Sequence, residues 1–572
     1  MKQWERYSRM YRDRDGRLFQ IRYLVHRIVP RKKKFWQKRV GRAASTREKT
    51  PETWRRSLRL RTYDELYHRS IQDADEFWKT VAGHLFFETN SDKGLEWNFD
   101  YRKGDVFVRF MDGARTNVAY NCLERNIERG YGSKIAYFWE GNEPSDSASM
   151  TYQELYEHVV AFSAFLRSRG VRKGDVVAVY LPMIPELPIV MLACARIGAV
   201  HSVVFAGFGA NSLASRITQA KARMLVTCDG YFHGSKLVAS KSVVDAAVTA
   251  CSEHGHTVES VIIVRHLDRV HRVEGVSLPK FRYNRDKEVF YCEELARCKG
   301  AESPVEWMEA EDPLFILYTS GSTGKPKGVV HTTAGYMTYA YATTKYVFNT
   351  HPDTDVYWCT ADCGWITGHS YLVYGPLLNG LTSVIFEGVP TYPNPSRMWQ
   401  IVEKYKVTTL YTAPTAIRSL MAYGDEHVLG TDRSSLRILG SVGEPINPAA
   451  WRWFNNVAGG RHCEVVDTYW QTETGGHVIA PLPGTTPTKP GSATLPFFGI
   501  EPALVDSDGH EIEGPGEGNL CIKSAWPGIC RSVYHDHMRY VSTYFTTFPG
   551  YFFTGDGVHQ ECVAWYLSIG VS

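Results

Sequence analysis

The chain has 572 residues, 44% hydrophobic and 22% charged, with a formal net charge of +4. This length allows a large buried core and more than one domain, and the composition excludes a disordered or fibrous protein. The longest apolar stretch, Val176 to Phe205, is broken by Pro182, Pro185, Glu186, Pro188 and Arg196, so no membrane-spanning helix is expected.

The charge is uneven along the chain. Met1 to Arg61 holds 21 Lys and Arg against 5 Asp and Glu, a net +16 that leaves −12 for the other 511 residues. Residues 1–62 therefore read as a basic, disordered extension. Transit peptides are basic but also rich in Ser and poor in acids; here Ser is sparse and Glu5, Asp13 and Asp15 come early. Nothing adjacent resembles a nucleic-acid-binding fold, so no nucleic-acid partner is expected. The twelve cysteines form no C-x-x-C pair, which points to free thiols in a reducing compartment. That compartment reads as cytoplasmic, with a plastid or mitochondrial matrix as the alternative.

From Tyr63 the texture is globular. Thr151 to Glu154 is a capping box, and Leu155, Val159, Phe162 and Leu166 follow at helical spacing up to Gly170. Val176–Leu181 reads as a buried strand, about 185–197 as a helix, and Val200–Phe205 as a second, parallel strand. Apolar runs near 260–264, 314–317, 383–386, 408–411 and 436–439 repeat the alternation and predict an α/β fold with buried parallel sheets. Short strands between Ile500 and Lys523 predict a small antiparallel or barrel-like element.

The run Leu314–Leu317 leads into Tyr318 to Gly328, a loop with Thr319, Ser320, Ser322 and Thr323 as hydroxyl donors and Lys325 and Lys327 as cations. Gly321, Gly324 and Gly328 let successive amides turn toward an anion. The spacing differs from the Walker loop, so the loop reads as a polyphosphate cradle of another kind. Four further stretches carry chemistry: Trp358 to Tyr371, Gly440 to Pro445, Asp467 to Gly476, and Tyr551 to Gly557.

Together, in this order, the five motifs resemble the adenylate-forming enzymes, which include acyl-CoA synthetases, peptide-synthetase adenylation domains and luciferases. Within that group the resemblance is to the acetyl-CoA synthetases, and it spans residues 63–556. It implies two αβ subdomains with parallel-rich sheets plus a small distorted β-barrel, followed by a mobile C-terminal domain. It also implies acetate–CoA ligase activity, with ATP, Mg²⁺ and coenzyme A: acetate and ATP give acetyl-AMP, and coenzyme A then takes the acetyl group. By the same resemblance Lys325, Thr319, Ser320, Ser322 and Thr323 are catalytic. Gly321, Gly324, Gly443, Glu444, Pro445, Asp467, Thr468, Tyr469, Trp470, Gln471, Thr472 and Asp556 bind ATP, and Glu473 holds the metal. Ile366, Thr367, Val442 and Trp470 line the acyl pocket, with the Trp470 indole restricting it to acetate. Gly207, His233, Lys236, Thr367 and Thr391 face coenzyme A, although relatives usually place Arg where His233 stands and often Asn where Thr391 stands.

After Gly557 the pattern stops. Residues 557–572 read as a divergent tail in place of the C-terminal domain, and no lysine follows Lys523. The expectation is therefore an acetate–CoA ligase sequence cut short before that domain, with impaired turnover. The alternative is a non-catalytic nucleotide-binding remnant of the same fold.

Overall fold

The computed structural model describes residues 63–320, 325–561 and 567–570. The basic extension 1–62 and the loop residues Gly321, Ser322, Thr323 and Gly324 lie outside the described residues.

Two large sheets carry the architecture. In the first, the strands Glu288–Phe290, Ser260–Val264, Met224–Cys228, Val176–Tyr180, Val200–Val203 and Pro313–Thr319 run parallel in that spatial order. Lys327–Thr332 and Ser532–Val533 then complete it with antiparallel pairings. In the second, Glu464–Asp467, Ile438–Ser441, Thr409–Thr412, Val356–Cys359, Thr382–Phe386 and Ile135–Glu140 are parallel, with Ser147–Thr151 as an antiparallel edge. Strands such as Val176–Tyr180 and Met224–Cys228 are buried at every position. That is why they read as continuous apolar runs rather than alternating ones.

The helix predicted from the capping box spans Tyr152–Ser168. Thr151 Oγ1 accepts from the Glu154 amide at 3.1 Å, and the Glu154 carboxylate accepts from the Thr151 amide at 2.7 Å. Leu155, Val159, Phe162 and Leu166 form its buried stripe. Helix Thr333–Val347 is buried on almost every side, which explains why its sequence shows no polar face. A third sheet, of Pro502–Val505, Gly516–Ile522, Phe552–Gln560 and Leu567–Gly570, is wholly antiparallel and stands where the barrel-like element was expected. Its strand Phe552–Gln560 passes through Gly557 without a break.

One feature differs from the simple strand-then-loop reading of residues 314–328. The loop closes a hairpin: Pro313–Thr319 and Lys327–Thr332 pair antiparallel, with Thr319 opposite Lys327. Lys327 is thereby fixed on a strand instead of lying free in the loop.

The segment from Tyr63 fastens these layers together. The Tyr63 and Tyr67 hydroxyls donate to the carbonyls of Pro496 and Ile500 at 2.7 and 2.8 Å. On helix Ala74–Ala82, Trp78 is fully buried against Tyr339, with ring centroids 5.5 Å apart. The indole lies against Gly499, whose φ is +77° and whose absent Cβ would fall 2.6 Å from Trp78 Nε1. Gly499→Ala adds left-handed strain and a steric clash at once. It should destabilise the protein by roughly 2–4 kcal/mol, read as a lower urea midpoint; an unchanged midpoint would contradict this packing.

Candidate active site

The candidate residues lie where the fold concentrates loops. Gly207 follows strand Val200–Val203, His233 and Lys236 follow Met224–Cys228, and Thr319 ends Pro313–Thr319 with Ser320 directly after it. In the second sheet, Ile366 and Thr367 follow Val356–Cys359, Thr391 follows Thr382–Phe386, and Val442 to Pro445 follow Ile438–Ser441. Asp467 ends its own strand and leads into Thr468 to Glu473. All these segments emerge from the carboxyl ends of parallel strands, where open α/β sheets bind ligands. The two sets also meet. His331 of the first sheet bonds the Thr472 carbonyl at 2.8 Å, and the Gly234 amide donates to Asn142 Oδ1 at 2.8 Å.

Residues 467–477 are held by backbone and aromatic contacts. The Thr468 amide and hydroxyl both donate to the Ser441 carbonyl, at 3.1 and 2.8 Å. The Trp470 indole N–H donates to the Tyr411 hydroxyl at 3.3 Å, and its ring meets Tyr371 edge-on at 4.9 Å. Tyr371 stacks face to face on His477 at 4.1 Å and accepts the His477 backbone N–H at 2.8 Å. Trp470 is half-buried against the core cluster that contains Ile366 and Val442, while Thr367 is half-exposed.

Asp556 belongs to the same assembly, although it sits on the third sheet. Its Oδ2 accepts from the Tyr469 hydroxyl and the Gln471 amide, both at 2.7 Å. Among the described residues no hydrogen bond engages Oδ1. Gly443 turns with φ +92° and is exposed, as is Pro445. The Glu444 carboxylate is occupied by Thr415 and by Arg418 at 3.0 Å, so its side chain is turned to the preceding helix Pro414–Ala422.

On the phosphate-loop side, the Thr319 hydroxyl is buried and without a partner among the described residues. Ser320 and Lys325 are exposed, and the Lys325 carbonyl accepts from Arg539 at 2.9 Å. Glu473 is buried, with its Oε1 accepting from the Tyr544 hydroxyl and lying 3.6 Å from the Lys327 ammonium. Its carboxylate is a hard oxygen donor of the kind Mg²⁺ prefers, so the residue present fits the metal that the resemblance implies.

On the remaining side, strands Tyr231–His233 and Lys236–Val238 form a small hairpin in which His233 pairs directly with Lys236. Both side chains are exposed. Partial burial and the Lys236 charge lower the His233 pKa, which favours the neutral ring. The turn at Gly234 abuts Val389 and Tyr392, neighbours of Thr391. Gly207 is exposed beside Phe205, which also touches Gly364 in the loop of the second sheet.

Comparison with known proteins matches this geometry. The sequence pattern described as "AMP-binding enzyme" fits residues 123–531, and that described as "Acetyl-coenzyme A synthetase N-terminus" fits residues 63–122. The acetyl-coenzyme A synthetase of Drosophila melanogaster is 53% identical over 503 residues, spanning 87% of this chain and 75% of the fly protein. The chain belongs to the acetyl-coenzyme A synthetase family. The chloroplastic/glyoxysomal acetyl-coenzyme A synthetase of Arabidopsis thaliana is 51% identical over 509 residues, covering 89% of this chain and 67% of that one. The structure of an acetoacetyl-CoA synthetase from Streptomyces lividans superposes with a TM-score of 0.77 at 26% identity, covering 89% of this chain and 74% of its own. The family's N-terminal pattern thus coincides with the segment that fastens the layers through Tyr63, Tyr67 and Trp78.

Several residues of this family member were not singled out from sequence. Tyr371 ends a motif already noted, and His477 stands one residue beyond another, so the stack they form had a faint signal. Tyr544 had none, because nothing local marks a helix-end tyrosine as the partner of a distant carboxylate.

Burial pushes the Asp467 carboxyl up to about 7. The folded protein therefore holds that proton between roughly pH 4 and 7 while the unfolded chain releases it, so this group's contribution to stability falls as pH rises through the window. Asp467→Asn should flatten that part of the stability–pH curve relative to the parent, measured by urea unfolding from pH 5 to 8. Parallel curves would contradict the burial argument.

Proposed function

We propose that the chain catalyses the ATP-dependent joining of acetate to coenzyme A. A carboxylate oxygen of acetate attacks the α-phosphorus of ATP, and the bond to pyrophosphate breaks. The sulfur of coenzyme A then attacks the carbonyl carbon of acetyl-AMP, sheds its proton, and expels AMP. Family membership supports the reaction, and the confined Trp470 indole is the observation that carries the choice of acid. Its N–H is tied to Tyr411 and its edge is set against Tyr371, so the ring cannot swing aside without breaking both contacts. A filled pocket excludes longer acids sterically, whereas an open apolar one discriminates by only about 1–3 kcal/mol per methylene.

The other roles follow the same reading. Asp556, with Oδ2 saturated by Tyr469 and Gln471, offers Oδ1 to the ribose hydroxyls. Gly443, Glu444 and Pro445, with residues 467–472, form the wall beside adenine and the α-phosphate. Thr319, Ser320, Ser322, Thr323 and Lys325, with Gly321 and Gly324, serve the β- and γ-phosphates. Glu473 would hold Mg²⁺, which when bound offsets the charge of the phosphates. Gly207, His233, Lys236, Thr367 and Thr391 receive coenzyme A. The eleven described cysteines are all unpaired, which supports a reducing compartment, the cytoplasm first. Among the described residues no helix is long and apolar enough to cross a membrane.

The reading is tested by acetate-dependent exchange of pyrophosphate into ATP, which should rise clearly above background. In the same assay Trp470→Gly should raise kcat/KM for four- to six-carbon acids relative to acetate by roughly tenfold or more. Unaltered acid preference in a variant that still exchanges would remove Trp470 from the pocket.

A further inference from the structure

Tyr544 ends helix His537–Tyr544 and stands between two opposite charges. Its hydroxyl donates to Oε1 of Glu473, while its oxygen accepts from Nζ of Lys327 at 2.8 Å. The ammonium itself stays 3.6 Å from that carboxylate oxygen, beyond ordinary N–H···O distance. All three side chains are withdrawn from water: Tyr544 is 5% and Glu473 8% exposed, and the Lys327 side chain is 14% exposed. In such a sheltered place an ammonium and a carboxylate attract strongly; at 3.6 Å they already form an ion pair, and the phenol that bonds to both holds them short of direct hydrogen-bond contact.

The phenol is fixed from several sides. Phe552 stacks on its ring at 5.3 Å, and Lys327 also lies over the ring face, 5.0 Å from the centroid. Arg539, on the same helix, holds the Lys325 carbonyl and so fastens the helix to the start of the Lys327 strand. The Cys530 amide donates to the Glu473 carbonyl at 2.7 Å and fixes the backbone of the carboxylate.

We propose that Tyr544 is a positioning residue for the divalent cation: it holds the Lys327 ammonium one hydroxyl away from Glu473 and so keeps that carboxylate oriented and available. The inference rests on the ligase reading, in which Glu473 holds Mg²⁺. No hydrogen bond engages Glu473 Oε2 among the described residues, which leaves that oxygen for the cation. Without the hydroxyl, Lys327 advances onto Oε1 and the cation must compete with an internal ion pair. Groups that orient a metal-ligating side chain typically govern affinity by about 10–100-fold.

The test is Mn²⁺ binding to the full chain with a non-hydrolysable ATP analogue, followed by the electron paramagnetic resonance signal of free Mn²⁺, alongside the Mg²⁺ dependence of pyrophosphate exchange. Tyr544→Phe should weaken Mn²⁺ binding by roughly tenfold or more and raise the Mg²⁺ requirement, while KM for acetate stays unchanged. Adding Lys327→Gln to Tyr544→Phe should restore Mn²⁺ affinity, because the competing cation is gone; a purely structural role for the phenol gives no such rescue. Parental affinity in Tyr544→Phe, or failure of the rescue, overturns the inference. If Glu473→Gln weakens Mn²⁺ binding in those cases, the ligand assignment stands on its own; if Glu473→Gln also binds Mn²⁺ as the parent does, both fall.

Discussion

The stack of Tyr371 on His477 is the joint on which the site depends. One ring comes from the helical turns that follow the second sheet's Val356–Cys359 strand, the other from the segment after Glu464–Asp467. Their planes lie 7° from parallel, and the Tyr371 hydroxyl is shared between the His477 amide and Thr343 of the buried helix Thr333–Val347. Burial holds His477 neutral, so its Nε2 and the Tyr411 hydroxyl can share a proton at 2.9 Å. Tyr411 in turn receives the Trp470 indole. One stacked and hydrogen-bonded contact between two strands' loops therefore sets the position of Trp470, the side chain proposed to bound the acyl pocket.

Polar groups are taken into the interior in matched sets, and this fixes how the two sheets meet. His266, after a strand of the first sheet, bonds Glu387, after a strand of the second, at 2.6 Å, and Arg269 links the same histidine to Glu186. Glu140 is wholly buried between Arg397, Lys404 and Tyr405. Such groups are costly to bury singly and tolerable only when each has its partners. They therefore select one mutual arrangement of the elements that carry them, and with it the relative placement of the loops at the carboxyl ends of the two sheets.

Around Glu444, Glu473 and Asp556 the fold separates charges as deliberately as it pairs them. Glu444 is occupied by Arg418, whereas Glu473 keeps Lys327 at the distance of an intervening phenol. The difference is one of geometry rather than composition, since each carboxylate has a cation within reach. Among the described residues Asp556 takes two donors on one oxygen and none on the other, which leaves it a directional acceptor.

Much of this was legible in the chain itself. The capping box at Thr151, the buried strands Val176–Tyr180 and Val200–Val203, and the motif order that marks the family are local, and local patterns of hydrogen-bonding side chains and apolar runs survive in sequence. The candidate residues of the acyl and nucleotide regions were likewise carried by contiguous motifs. The hairpin that fixes Lys327 was not legible, because strand direction depends on which neighbour the chain finds. Nor was the link from Tyr544 to Glu473 and Lys327, whose members lie far apart along the chain and meet only when a helix docks beneath the third sheet. Sequence by itself determined the family, the elements and the chemical types at the site. Tertiary structure alone decided which charges touch, because contact between distant residues is set by how sheets and helices pack, and no single segment encodes that.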